Sequence, residues 1–272
     1  MDKKIIALKQ KIESESPLIH NMTNVVVTNF TANGLYAIGA SPVMSYAKEE
    51  VADMAAIAQG LVLNIGTLTP TQVEAMHIAG RSANEHEVST FLDPVGVGAT
   101  AYRTKTAKNL LSELEISFIR GNLGEVSNLV DEKIEMKGVD SKKQHDNALL
   151  IAQKAARQYR TNVVLTGKTD IITDGAKTYF VHNGTPMLTK VTGTGCLLTS
   201  VMSAFVAVGQ DPLEAAAGAV SYYAIAAEIA ADKVTAQGES FGHFQVHFID
   251  QLADVSQKEI AKRLSIEVWE EK

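Results

Sequence analysis

Short apolar runs alternate with longer stretches in which apolar residues recur at helical spacing. The runs end in polar or glycine-containing tips, which is typical of strands in a buried sheet. The six predicted strands are residues 17–24, 41–46, 61–66, 89–95, 116–122 and 162–167. The predicted helices between them are residues 24–38, 48–59, 70–84, 101–114 and 144–159. This alternation predicts an α/β fold with crossover connections and a mostly parallel sheet.

The pattern changes after the sixth strand. Residues 171–175 and 177–184 read as two strands of a hairpin, with Asp174-Gly175 as its turn. Helical spacing then extends over residues 195–208, 212–232 and 242–262. All six prolines fall at element edges, and no internal repeat or linker rich in Gly and Ser interrupts the chain. We therefore expect one domain over residues 1–272.

Informative residues gather where the predicted parallel strands end. In open sheets of this kind the ligand binds beyond the carboxyl ends of the strands. The tips that would share this rim are residues 21–24, Met44, residues 64–66, Asp93 and Pro94, residues 120–122, and Thr166 and Gly167. We expect the binding site at this edge of the sheet.

The segment Gly193-Thr194-Gly195-Cys196 directly precedes a helix of small and apolar residues. Glycines let backbone N–H groups approach a ligand closely, and a helix N-terminus offers unpaired donors and a favourable dipole. Such a turn suits a phosphoryl group in transfer, whose charge must be stabilised in the transition state. The alternative is a helix-start turn whose glycines only relieve strain. The hairpin before the turn and the helix after it favour anion binding.

Three other motifs lack the residues that their usual chemistry needs. The triplet at 167–169, GKT, ends like a P-loop, but Asn162 stands where the first glycine is required. Residues 96–101, GVGATA, fit only a short and loose dinucleotide fingerprint. The histidines of HFQVH at 243–247 have zinc-protease spacing without the glutamate of that motif, so packing or surface histidines are expected.

Acidic residues at strand ends are candidates for magnesium. Mg²⁺ keeps most of its waters and needs only one or two carboxylates beside phosphate oxygens, so Asp93 and Glu125 would suffice. A carboxylate that leaves a buried strand, as Asp93 does, needs a partner. Glu125 could equally be a first-turn helix residue that the dipole favours. Arg120 is a candidate clamp for a nucleotide phosphate, with an ordinary surface cation as the alternative.

Composition narrows the classes of partner. The net charge of -6 and the pI of about 5.7, without a block of basic residues, argue against nucleic-acid binding. The longest apolar stretch, residues 215–227, is too short to span a bilayer, and the N-terminal stretch is charged and amphipathic, unlike a signal peptide. Cys196 is the only cysteine, which excludes an intramolecular disulfide. We expect a cytoplasmic protein without membrane or nucleic-acid partners.

Six segments occur in the order found in hydroxyethylthiazole kinases, and through them the chain resembles that family. They are HNMTNVVVTNFTANGLYAIGASPVMS, LVLNIGTLTP, LDPVGVGAT, IRGNLGEV, VVLTGKTDIITDG and VTGTGCLLTSVMSAF, spread over residues 17–208. The pair HNMTN and GTGC distinguishes this family from most other ribokinase-like sugar and vitamin kinases, whose corresponding anion-hole motif ends in Asp.

The resemblance implies a ribokinase-like three-layer sandwich with helices on both faces of the sheet. It implies ATP- and Mg²⁺-dependent phosphorylation of the hydroxyl of 4-methyl-5-(2-hydroxyethyl)thiazole in thiamine salvage, by a homotrimer with thiazole pockets at subunit interfaces. The implied thiazole-site residues are Asn24, Met44, Gly66 and Gly193. The implied ATP-binding residues are Arg120, Thr166 and Thr194. The implied magnesium ligands are Asp93 and Glu125, and the implied catalytic residues of the anion hole are Gly193, Gly195 and Cys196.

Cys196 stands where related kinases carry an Asp that can accept the substrate's hydroxyl proton. A thiol of ordinary pKa is mostly protonated at neutral pH, although a helix N-terminus can lower that pKa. Base catalysis contributes only about 10²–10⁴-fold to such reactions, so we expect a slow enzyme that tolerates loss of the thiol. A purely structural role, as a small buried residue at the helix start, is the alternative.

Two other functions stay open at this level. A different ribokinase-like enzyme, such as a pyrimidine kinase or an ATP-dependent dehydratase, would share much of the pattern. A non-catalytic nucleotide or vitamin sensor would keep the pocket without the chemistry, but the intact set of Asp93, Glu125 and the GTGC turn argues against it.

Overall fold

A nine-stranded sheet forms the centre of the molecule in the computed structural model, which describes residues 1–132 and 141–270. The strands are β1 Leu18–Met22, β2 Ser41–Val43, β3 Gly60–Asn64, β4 Thr90–Asp93, β5 Phe118–Asn122, β6 Asn162–Thr166, β7 Asp170–Thr173, β8 Lys177–Val181 and β9 Ile266–Glu270. Their order is β2-β1-β3-β4-β5-β6-β7-β8-β9. The first six strands are mutually parallel, and β7, β8 and β9 each pair antiparallel with the strand before them in the sheet. The predicted mostly parallel sheet is therefore confirmed.

Eleven helices connect these strands within the described residues. They are α1 Asp2–Glu15, α2 Thr28–Ala37, α3 Val51–Ile57, α4 Pro70–Glu85, α5 Ala101–Glu113, α6 Leu123–Leu129, α7 Ser141–Tyr159, α8 Thr194–Val208, α9 Pro212–Gln237, α10 Phe241–Ala253 and α11 Gln257–Arg263. A 3-10 helix, Pro186–Lys190, precedes α8. None of these helices combines the length and the apolar character that crossing a bilayer requires.

The helices cover both faces of the sheet and create two apolar cores. Alternate strand residues point to opposite faces, so Val62 and Phe91 pack with α1, α2 and α8–α11, whereas Leu63 and Leu92 pack with α3–α7. The rings of Phe91 and Phe118 stack at 5.0 Å between centroids on the first face. This arrangement confirms the three-layer α/β sandwich.

The two helices α8 and α9 are buried over most of their length. Small residues on several faces of α9 allow it to pack against α8, α10 and α1 at once, as its alanine-rich sequence suggested. The Asp211 side chain caps α9 by accepting the Glu214 N–H, and Gly238, with φ of 66°, ends it. Because α8 is held firmly between α9 and the sheet, its first turn has a fixed position at the sheet edge.

Several helix boundaries and one strand differ from the sequence predictions. The helix predicted over 242–262 is two helices, because the Ser256 side chain accepts the Glu259 N–H and starts α11. The helix predicted from residue 24 begins at Thr28, after a turn in which the Val27 N–H donates to the Asn24 carbonyl. Helix α9 runs five residues beyond the predicted end at 232. Strand β9, with its alternating sequence IEVWE, had not been predicted and pairs with β8.

The hairpin of β7 and β8 forms as predicted. Gly175 has φ of 98°, a value that favours glycine, and the Asp174 carboxylate accepts the N–H groups of Ala176 and Lys177. The hairpin extends the parallel sheet beyond β6 in antiparallel fashion.

Candidate active site

The carboxyl ends of β1, β3, β4, β5 and β6 meet the N-terminus of α8 at one edge of the sheet. Parallel register places Asn64 at the end of β3 beside Asp93 at the end of β4. In the same way Asn122 of β5 lies beside Thr166 of β6. The predicted rim is therefore a real cluster.

The GTGC turn starts α8 with a left-handed residue. Gly193 has φ of 92°, and a Cβ built on it would lie 2.8 Å from Cγ1 of Val27, so both conformation and space require glycine. The Thr194 hydroxyl donates to the Leu188 carbonyl at 2.8 Å. Thr194 therefore offers the site its backbone N–H at the helix start, and its side chain anchors the turn.

Arg120 lies directly against this turn. A Cβ at Gly195 would be 2.7 Å from Nη1 of Arg120, so the second glycine makes room for the guanidinium. Nη2 of Arg120 donates to the Thr166 hydroxyl at 2.9 Å, and Nη1 lies 3.8 Å from Oδ1 of Asp93. The side chain is only 13% exposed, and its buried Nε has no hydrogen-bond partner among the described residues. Arg120 is therefore not the ordinary surface cation that the sequence left open.

Asp93 is completely buried, and its two oxygens differ. Oδ2 accepts from Nδ2 of Asn64 at 2.8 Å and from the Thr199 hydroxyl at 3.0 Å, whereas Oδ1 finds no hydrogen-bond donor in the described part of the chain. Burial raises the pKa of Asp93 from its ordinary value of 3.8 to about 6; Arg120 opposes the rise and Glu125 adds to it. Within the described residues, Oδ1 of this buried carboxylate therefore makes no hydrogen bond and has the Arg120 guanidinium as its ion-pair partner at 3.8 Å.

Glu125 has both oxygens bonded to backbone N–H groups. Oε2 accepts from the Asn122 N–H at 2.9 Å within a capping box, and Oε1 accepts from the Gly96 N–H at 2.9 Å. Glu125 is thus a first-turn residue of α6, and its side chain also connects the loop after β4 to the end of β5.

Asp93 and Glu125 fit magnesium better than a metal with protein ligands alone. The described residues contain no group of three or more His, Cys, Asp or Glu side chains placed to hold a metal ion. Mg²⁺ needs fewer, because waters and phosphate oxygens complete its octahedron. Oδ1 of Asp93, without a hydrogen bond among the described residues and with Glu125 near enough to affect the pKa of the carboxyl group, matches that requirement.

Asn24 contacts both Asn64 and Cys196. Nδ2 of Asn24 donates to Oδ1 of Asn64 at 3.1 Å and to Sγ of Cys196 at 3.4 Å. A Cβ at Gly66 would lie 2.8 Å from Nδ2 of Asn24, so Gly66 makes room for that amide. Burial, followed by the nearby charge of Asp93, raises the pKa of the Cys196 thiol to about 11. The thiol is protonated at neutral pH.

Met44 is the one candidate that lies apart from this cluster. It follows β2 at the outer edge of the sheet, with β1 between β2 and β3. Its neighbour Ser45 is anchored from β1, because the Ser45 carbonyl lies 3.0 Å from Nε2 of the buried His20.

Three residues of the site had not been predicted. Arg103, at the start of α5, donates to the carbonyls of residues 65, 66 and 95 and so joins the loops after β3 and β4. Thr199 lies one turn after Gly195 and reaches Asp93; a hydroxyl in an apolar helix was its only signal. Asp170 accepts the Gly167 N–H at 2.9 Å, and burial raises its pKa to about 6. The separations along the chain explain why sequence reasoning missed Arg103.

The rejected motifs have ordinary structural roles. The GKT triplet at 167–169 forms the tight connection from β6 to β7. Residues 96–100 lie in the loop between β4 and α5, in which Gly96 and Gly98 adopt positive φ, and Ala101 begins α5. His243 and His247 both face the Glu239 carboxylate, at 3.8 and 2.9 Å.

Comparisons with known proteins agree with this geometry. A family model described as the hydroxyethylthiazole kinase family matches residues 9–258. The structure of a hydroxyethylthiazole kinase protein from Pyrococcus horikoshii OT3 has a TM-score of 0.90 at 37% identity, covering 98% of this chain and 100% of that chain. The structure of an ADP complex of Bacillus subtilis pyridoxal kinase has a TM-score of 0.59 at 18% sequence identity, covering 78% of this chain and 91% of that chain. A ribokinase-like superfamily protein from Enterococcus faecalis V583 has a TM-score of 0.62 at 14% sequence identity, covering 89% of each chain. These last two matches indicate similarity of fold alone.

The three-layer sheet has the ribokinase-like fold, and the family match over residues 9–258 identifies the chain as a kinase. Such an enzyme uses a nucleotide as phosphoryl donor. The match over most of its length shows that the chain belongs to the hydroxyethylthiazole kinase family. It phosphorylates the hydroxyethyl group of the thiazole precursor in thiamine salvage.

Proposed function

We propose that the γ-phosphoryl group of ATP passes to the hydroxyl of 4-methyl-5-(2-hydroxyethyl)thiazole at the GTGC turn. The observation that carries the proposal is the position of Arg120, whose guanidinium rests on Gly195 and pairs with Asp93 at the start of α8. The helix N-terminus and this cation together provide the positive potential that a phosphoryl group needs in a loose transition state. The Nε of Arg120, which has no hydrogen-bond partner within residues 1–132 and 141–270, supports a bound anion in this position.

Each candidate residue has a task in this scheme. Asn24, Met44, Gly66 and Gly193 would form the thiazole site, in which Met44 contributes an adaptable apolar contact. Arg120, Thr166 and the backbone N–H of Thr194 would bind ATP. Asp93 and Glu125 would hold Mg²⁺, which supplies charge neutralisation to the phosphate oxygens when bound. Gly193, Gly195 and Cys196 would form the anion hole.

Cys196 acts in this scheme as a neutral hydrogen-bonding group beside the attacking hydroxyl. A thiol whose pKa is about 11 is a poor proton acceptor at neutral pH, so positioning and charge neutralisation provide most of the rate. A slow enzyme is the consequence.

We further propose a homotrimer with the thiazole site at the interface between subunits. Val25 and Val26 support it, because both are 65% exposed directly beside Asn24. The position of Met44 at the outer sheet edge also supports contact with a second subunit. Light scattering after size-exclusion chromatography tests the mass. A monomer at working concentration would contradict the trimer.

One domain over residues 1–272 and a cytoplasmic location complete the proposal. The uninterrupted nine-stranded sheet supports a single domain, and the use of ATP supports the cytoplasm.

Transfer of labelled phosphate from ATP to hydroxyethylthiazole, with and without Mg²⁺, tests the function. Labelled thiazole phosphate that forms only with Mg²⁺ is the expected result. Faster phosphorylation of a hydroxymethylpyrimidine would favour a pyrimidine kinase. ATP binding without ADP release from any alcohol would favour a sensor.

A further inference from the structure

The buried side chain of Asn64 connects two groups that have different tasks in the proposed function. Asn64 ends β3 and is 2% exposed. Its Nδ2 donates to Oδ2 of Asp93 at 2.8 Å, and its Oδ1 accepts from Nδ2 of Asn24 at 3.1 Å. The same Asn24 amide reaches the Cys196 sulfur. One side chain therefore joins the carboxylate on the phosphate side to the amide on the substrate side.

The orientation of the Asn64 amide is fixed by its partners. Besides Asn24, its Oδ1 accepts the Gly66 N–H at 2.9 Å. Rotation of the amide by half a turn would set its NH₂ group against two donors and its oxygen against the Asp93 carboxylate. In a buried site such mismatches are costly, so only one orientation is compatible with the surrounding groups.

We propose that Asn64 is a positioning residue for phosphoryl transfer, holding the Asp93 carboxylate through its NH₂ group and the Asn24 amide through its carbonyl. The inference rests on the proposed function, because it takes Asn24 and Asp93 as site residues. Asn64 thereby keeps the substrate alcohol and the carboxylate in one fixed relation. A displacement of about 1 Å between reacting groups is enough to cost a large part of the rate.

Three variants separate the two connections. Asn64→Ala removes both. Asn64→Asp, assayed at pH 8, keeps the acceptor for Asn24 and Gly66 but replaces the amide donor by a carboxyl group. Two buried carboxyl groups in contact share one proton even at this pH, so Asp93 loses its full negative charge. Thr199→Val removes the other donor to the same Asp93 oxygen and leaves Asn24 untouched.

Calorimetry with hydroxyethylthiazole, without ATP or Mg²⁺, measures thiazole affinity and so reports on the connection to Asn24. The kcat of phosphoryl transfer reports on the connection to Asp93. Asn64→Ala should weaken thiazole binding by about tenfold and lower kcat by about tenfold or more. Asn64→Asp should restore thiazole binding to within about twofold of the wild type while kcat stays low. Thr199→Val should lower kcat alone. A residue that only supports the fold would not produce this division.

Asn162→Asp is the matched control. Asn162 begins β6 at the opposite edge of the sheet, where its amide donates to the Ser117 carbonyl at 3.0 Å. The same loss of an amide donor there should lower the melting temperature without changing thiazole affinity or kcat. Melting temperatures of all variants give the folded fraction in each assay.

Wild-type turnover is measured first. If the wild type releases no ADP with hydroxyethylthiazole, the proposed function fails and this inference fails with it. If the wild type is active but Asn64→Asp keeps its kcat, or Asn64→Ala binds thiazole as the wild type does, the inference alone is overturned. Losses that only follow the melting temperature would overturn it equally.

Discussion

The edge around Asp93 and the hairpin of β7 and β8 both bury polar side chains in one sheet, but they use them differently. In the hairpin, the Thr173 hydroxyl donates to the Lys177 carbonyl and accepts the Gly175 N–H. All these partners lie within a few residues. At the site edge, Asp93 draws its donors from Asn64, 29 residues away, and from Thr199, 106 residues away.

The two regions differ in whether all their buried polar groups are hydrogen-bonded. Thr173 and Thr178 use each other and the turn, so their polar groups stabilise a local structure. Asp93 is equally buried, yet its Oδ1 makes no hydrogen bond with the residues that the structure describes, and burial raises the pKa of this carboxyl group to about 6. A fold tolerates such a cost where a ligand completes the site. Long-range partners, together with an oxygen that makes no hydrogen bond among the described residues, therefore distinguish the proposed site from the hairpin.

The largest expected effect is loss of turnover in Gly193→Val and Gly195→Val. The first places a β-branched residue at φ of 92° against Val27, and the second displaces Arg120 from the helix start. We expect kcat to fall by about 10³-fold or more, as when preorganised anion donors are lost. The measurement is ADP release at saturating substrate.

Gly238→Ala is the control, because Gly238 also has positive φ but nothing lies within 4 Å of its Cβ position. It should cost about 1 kcal/mol of stability and leave kcat unchanged. Retained turnover in both valine variants would remove the GTGC turn from the mechanism.

The second-largest loss of turnover is expected for Asp93→Asn, with Thr173→Val in the hairpin as the comparison. Asp93→Asn should lower kcat by about 10²–10³-fold, since Arg120 and the proposed Mg²⁺ both lose a charged partner. Thr173→Val should cost about 1–3 kcal/mol of unfolding free energy at an unchanged kcat, because it leaves buried hairpin partners unbonded. Chemical denaturation and steady-state kinetics on both variants give the two quantities. Equal loss of kcat in the two would erase the distinction between the regions.

A third prediction concerns pH and the free energy of unfolding of the protein without ligands. The pKa of Asp93 is raised to about 6 in the folded state, above its ordinary value, so the folded state binds the extra proton. Its contribution is fully present below about pH 4 and is lost as pH rises through 6, an effect of about 3 kcal/mol at most. Asp170 acts in the same direction.

Urea denaturation between pH 4 and pH 7 measures this contribution as the difference between wild type and Asp93→Asn. The wild type should lose stability relative to the variant as pH rises. Parallel curves over this range would contradict the raised pKa.

The smallest effect is expected at Cys196. Since its thiol is already protonated, Cys196→Asp should keep or raise kcat, and the wild-type thiol should react slowly with iodoacetamide at pH 8. A collapse of activity in a folded Cys196→Asp variant would argue against its position beside the attacking hydroxyl. Melting temperatures establish that the variant is folded.

Much of this protein follows from its sequence. The alternation of apolar runs with helical spacing determined a mostly parallel α/β sheet, because burial of apolar faces depends on local periodicity. The strand tips located the site edge, and Asp174-Gly175 located the hairpin turn. The position of Gly193 before an apolar helix marked the start of α8, where we propose anion binding, for the same reason, since helix starts and positive φ are properties of a few consecutive residues.

Only the tertiary structure decided which polar side chains contact one another. Strand order and register place Arg120 against Gly195 and let Arg103 join two loops. They also place Asn64 between Asn24 and Asp93. These contacts bring together groups far apart along the chain, whose meeting no local pattern encodes. The pairing of β9 with β8 likewise depends on packing against elements elsewhere in the chain. Local periodicity thus sets the elements, and long-range packing sets which of their polar groups stay free to act.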